Sequence, residues 1–100
     1  MLAKLSKPQL QSHIRTVSRD SSRVAFTDHV LIRMKERQIT RDMALKVLQK
    51  GLLIREPESN LAKGNIECRM EKFTTGRDIG IVVALSDDHP DLLIITAMEL

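Results

Sequence analysis

Apolar positions recur at helical spacing through the first half of the chain and at strand spacing through the second, with the change at Gly51. Leu10, His13, Ile14 and Val17 share one side of a short amphipathic helix that Ser6 and Pro8 start and the polar run 18–22 ends. Residues 23–26 read as a short strand. Thr27 has the chemistry of an N-cap and Asp28 suits the positive end of the helix that follows, in which Val30, Leu31 and Met34 form a modest core-facing stripe. Thr40 caps a third helix with a broad apolar band (Met43, Ala44, Leu45, Val47, Leu48), and Gly51 is expected in a left-handed conformation just past its end. Beyond it, residues 52–56 predict a strand and 57–64 a loop. Ile66, Cys68 and Met70 then alternate with Glu67, Arg69 and Glu71. A turn falls at 74–77, and the strand at 79–85, apolar on both sides, belongs in the middle of a sheet. His89 lies in an acidic turn over 86–91, and 92–98 makes the last strand.

These elements predict an α+β fold. A first helix and linker occupy 1–22, and 23–100 form a domain of order β-α-α-β-β-β-β, with a helix pair on a mostly antiparallel sheet. The stripe of the first helix is too narrow to hold a free helix in water, so it is expected to dock on its own domain or on a second copy, a homodimer through the N-terminal helix.

Charge divides the picture in the same place. Residues 1–51 hold eleven Lys or Arg against four Asp or Glu, a formal +7, whereas 52–100 hold five against nine, a formal −4. A basic helical half is what a polyanion would meet. With two Phe and no Tyr or Trp, any contact to nucleic acid rests on phosphate and ribose rather than on stacked bases. The longest apolar run, 79–85, is too short to span a bilayer, the first residues lack a secretory signal, and the single cysteine fits a reducing cytoplasm.

The pointed chemistry lies on the second helix. His29, Arg33 and Arg37 follow at i, i+4 and i+8, a titratable ring and two fixed cations along one face. Cleaving RNA through its own 2′-hydroxyl needs a proton acceptor there, a proton donor at the leaving oxygen, and cations on the crowded phosphorane. Histidine suits the first two tasks near neutral pH and arginine the third. The bland alternative packs His29 on the sheet and pairs the arginines with Glu36, Glu67 or Glu71. Arg69 and Arg77, on or beside the hairpin over 65–85, could join the set if the sheet edge reaches the helix. Cys68 alternates onto the apolar face as inert core. No spacing of His and Cys suggests a metal site, and no cofactor motif is present.

The run Thr27-x-His29-x-x-x-Arg33-Met34-x-x-Arg37-x-Ile39-Thr40, the helix ending at Gly51, Cys68-Arg69-Met70 and the strands VVALSDD and DLLIITAMEL carry a resemblance over about residues 23–100. The chain resembles a bacterial family of domains of unknown function grouped with the RelE/BrnT-like toxin superfamily. That resemblance implies the β-α-α-β-β-β-β fold, endoribonuclease activity on messenger RNA and a cognate antitoxin over the active face. It assigns catalysis to His29, Arg33, Arg37 and Arg69, and the basic surface adds Arg77 to Arg33 and Arg37 for nucleic-acid binding. The chain departs from ribosome-dependent members in having no tyrosine near its end. The expectation is therefore a metal-independent endoribonuclease or RNA-binding protein of a toxin–antitoxin type system. The rival is a non-catalytic protein-interaction module on the same scaffold.

Overall fold

The structure, a computed structural model, describes residues 4–60, 62–88 and 91–100. His89, expected in a solvated turn, lies outside the described residues. Helix α1 (Lys7–Ser18) begins at a capping box in which the Ser6 hydroxyl accepts the Gln9 N–H and the Gln9 side chain accepts the Ser6 N–H. A 3-10 turn (Ser21–Arg23) leads into strand β1 (Val24–Phe26). The Thr27 and Thr40 hydroxyls each accept an N–H three residues on and so start α2 (Asp28–Arg37) and α3 (Arg41–Lys50).

Strands β2 (Leu52–Leu53), β3 (Glu58–Asn60), β4 (Asn65–Thr74), β5 (Arg77–Leu85) and β6 (Leu92–Glu99) follow. The sheet runs β1-β6-β5-β4-β2, and β3 pairs with β4 beyond β2. It is a six-strand mixed sheet, since β1 lies parallel to β6 while every other pairing is antiparallel. The strand apolar on both sides, β5, holds the centre, as its pattern requires. The strand expected over 52–56 stops at Leu53, and the expected loop contains β3 instead. Both are two or three residues long, set by pairing to β4 rather than by their own pattern.

All three helices join one core with the sheet. Leu10, Ile14 and Val17 of α1 are buried with Val30 and Met34 of α2, Ala44, Val47 and Leu48 of α3, and Cys68, Met70, Ile81, Val83 and Ile94 of the strands. The first helix thus docks on its own domain, the first of the two expected outcomes. Polar ties reinforce this. The Arg15 guanidinium donates to the Gly51 carbonyl at 2.6 and 2.9 Å, and the Gln49 amide donates to the Ser18 carbonyl at 2.9 Å. Each helix end thereby finds partners for carbonyls its own turns leave open.

One local expectation changes. Gly51 is extended (φ −78°, ψ −177°), not left-handed, and glycine is needed there for space. A Cβ would lie 2.3 Å from the Val47 carbonyl oxygen and 2.8 Å from that of Glu71. The left-handed helix end belongs to Gln38 (φ 56°, ψ 42°), after α2. At the tip of the β4–β5 hairpin both Thr75 (φ 51°) and Gly76 (φ 79°) have positive φ, the pattern of a type I′ turn.

The last strand carries a bulge. Val83 pairs with Ile94 but Val82 with Thr96, so Ile95 is the extra residue. Leu92 and Ile94 face the core before it and Ala97 after it, which leaves Leu93, Thr96 and Met98 on the face without helices. Because β1 pairs only with residues 92–94, no strand among the described residues lies beside the outer edge of β6 beyond Ile94.

Candidate nucleic-acid interface

Helix α2 runs beside that free edge. Its Val30 and Met34 go into the core, which turns His29, Arg33 and Arg37 outward along the next stripe. A depression of about 290 Å³ lies between them and the edge, lined by these three residues with Val30, Ile95, Thr96 and Ala97. No carboxylate lines it.

The three side chains are held differently. His29 is exposed and bonds to no described residue. Arg33 meets Glu36 one turn away at 3.4 Å, with both side chains about half exposed. Such a surface pair is worth under about 1 kcal/mol and yields readily to a stronger anion. Arg37 donates to the Ala97 carbonyl at 2.6 Å. That bond fixes the guanidinium against the β6 edge and satisfies an edge acceptor, yet leaves its charge unneutralised.

The other two arginines serve elsewhere. Arg77 donates to the carbonyls of Arg37 (2.7 Å) and Gln38 (2.8 Å) and pairs with Glu99. It closes the C-terminal end of α2, where a cation also complements the helix dipole. It sits beside the helix-two cations, but its donors are engaged by the fold. Arg69 projects from the opposite face of the sheet. Glu71, two residues along the same strand, holds it through two bonds to one oxygen at 2.9 and 3.1 Å, with both side chains under 20% exposed. The structure therefore brings His29, Arg33 and Arg37 together, places Arg77 as their support, and leaves Arg69 outside the set. The alternative packing of His29 on the sheet does not occur, and of the three acids considered as partners only Glu36 meets either helix arginine.

Sequence reasoning missed the opposite wall, Ile95–Thr96–Ala97. A bulge arises from pairing between distant strands and leaves no mark in LLIITAMEL. Cys68 is fully buried, and burial pushes its thiol up to about 11, so it stays a protonated core residue. Among the described residues no three His, Cys, Asp or Glu side chains gather as a metal would require, and no helix is long and apolar enough to cross a membrane.

Three helices on one face of a six-strand mixed sheet, with a cation-lined depression at the sheet's free edge, define the chain as an α+β domain. Residues 26–99 match the family described as domain of unknown function DUF4258, and the chain belongs to that family. The match begins within β1, after α1. No curated protein and no solved structure matches the chain.

Proposed function

We propose that this domain binds RNA by its phosphodiester backbone in the depression between α2 and β6, and cleaves it there without a metal, as a RelE/BrnT-like endoribonuclease of a toxin–antitoxin type system. The observation that carries the reading is the lining itself: one histidine and two arginines converge on a depression that no carboxylate lines, Glu36 meeting Arg33 from outside it. Arg33 and Arg37 suit two oxygens of a phosphodiester, for which a guanidinium offers paired donors. His29, free of other bonds, accepts the proton of the 2′-hydroxyl as that oxygen attacks phosphorus. The 5′-oxygen leaves and takes a proton from solvent, which gives a 2′,3′-cyclic phosphate and a free 5′-hydroxyl. The arginines hold the extra negative charge of the phosphorane. The resemblance to the toxin superfamily adds a cognate antitoxin as the protein that would cover this face.

The test is purified protein with structured and unstructured RNA, followed for retention and for products, with and without chelator. Retention that falls with salt, products ending in cyclic phosphate and indifference to chelator support the reading. Retention without products reduces it to RNA binding. Neither retention nor products overturns it.

A further inference from the structure

Among the described residues nothing covers the face of the sheet away from the helices, yet it is not built for water. Leu52 (52% exposed), Phe73 (64%) and Leu93 (38%) stand on it, with Val82 and Met98 half-buried between them. A depression of about 240 Å³ opens there, floored by Val82, Thr96 and Met98 and walled by Glu58 and Glu67 among others. Glu58 and Glu67 are directly opposed across β3 and β4. Neither carboxylate bonds to a described residue, and like charges directly opposed weaken a strand pair. Of the nearby cations, Arg69 is held by Glu71, and Arg55, on the rim of the same depression, forms no ion pair with either carboxylate. Lys7 likewise pairs with Glu56, also on the rim.

Two costs therefore sit side by side on this face: exposed apolar surface and uncompensated negative charge. A ligand that removes both brings apolar side chains and a cation. A nucleic acid brings phosphates to the carboxylates, and a second copy of the same face brings the same net negative charge; both are repelled. We propose that the uncovered sheet face is the docking surface for a basic, amphipathic segment of a protein partner. One lysine or arginine of that segment sits between Glu58 and Glu67, and its apolar side chains lie over Val82, Leu93 and Met98. This surface is separate from the α2 depression and does not depend on RNA binding there.

The test uses the full chain, isotope-labelled, with three probes: a 14-residue amphipathic peptide of lysine and leucine, its glutamate–leucine counterpart, and oligouridine. The lysine peptide should shift the amides of Glu67, Val82 and Met98, and the other two probes should not. Glu58→Gln with Glu67→Gln should weaken the lysine peptide about tenfold, while Asp88→Asn leaves it unchanged. The same double substitution should raise the Tm, because it removes a repulsion the free protein carries. The proposal fails if the lysine peptide shifts other regions or the glutamate peptide binds equally well. It also fails if the double variant keeps its affinity. Movement of the same amides on concentrating the protein alone would assign the face to a second copy, and movement with oligouridine would assign it to RNA. The amide map of the unaltered chain decides these points even if the double variant folds poorly.

Discussion

Two depressions meet at Thr96, which lines both, and they differ in every respect that matters to a ligand. The one beside α2 has His29, Arg33 and Arg37 and no acid. The one on the uncovered sheet face has Arg55 and Arg69 against Glu56, Glu58 and Glu67, with Arg69 further neutralised by Glu71. The first suits a phosphate and the second a cation, although they are separated by the thickness of one strand. The charge division along the chain, +7 before residue 52 and −4 after it, thus becomes a division across β6. Counting arginines would not distinguish the two sites. What distinguishes them is the company of each guanidinium: no carboxylate lines the first depression, whereas three line the second and Glu71 holds Arg69 there.

The largest effect tests what the two sites share. Ile81 is fully buried at the centre of β5, in the core of the sheet that carries both. Ile81→Ala should lower unfolding free energy by about 2–5 kcal/mol, and denaturant unfolding should abolish both sites in one transition. Loss of one site while the other persists would mean that the two do not rest on a common sheet. Next, His29→Ala should reduce RNA cleavage about a hundredfold or more while leaving retention nearly intact, because it removes a proton-transfer group and neither fixed cation. A parallel loss of retention would make His29 a binding residue.

Smaller effects separate the arginines. Arg33→Ala should weaken RNA binding and flatten its dependence on salt by about one released counterion. Arg37→Ala should do the same and also lower stability by about 1 kcal/mol, since it gives up the bond to the Ala97 carbonyl. The smallest change is expected for Arg69→Ala, whose RNA affinity and salt slope should match those of the unaltered chain, because Glu71 already balances that charge. An Arg69→Ala slope as flat as that of Arg33→Ala would erase the distinction between the two depressions.

Much of this was legible in the chain itself, and what was not has physical reasons. The stripe of His29, Arg33 and Arg37 follows from helical spacing, and the cap at Thr27 sets its phase; both are local properties. The first helix was expected to dock on its own domain or on a second copy, and Ile14 is buried against its own core. The arginines divide differently. Arg33 and Arg37 stand beside the site for reasons visible on one helix. Arg77 reaches carbonyls forty and thirty-nine residues earlier in the chain, and Arg15 a carbonyl thirty-six residues later. No window of sequence contains both ends of such a bond. Gly51 shows the same limit in part: its position after a helix suggested a left-handed cap, while its actual constraint is space, set by the Val47 carbonyl four residues back and by the Glu71 carbonyl on a neighbouring strand. The bulge at Ile95 builds one wall of the site and arises only from the pairing of β6 with β5.

The most direct measurement is a map of backbone amide shifts as oligoribonucleotide is added to the full chain at low and then at raised salt. The expected result is a set of shifts confined to His29, Arg33, Arg37 and Ile95–Ala97 that fades as salt rises, with Glu58, Glu67 and Val82 unmoved. Shifts centred on Glu67 and Val82, or no shifts at low salt, would contradict RNA binding in the depression beside α2.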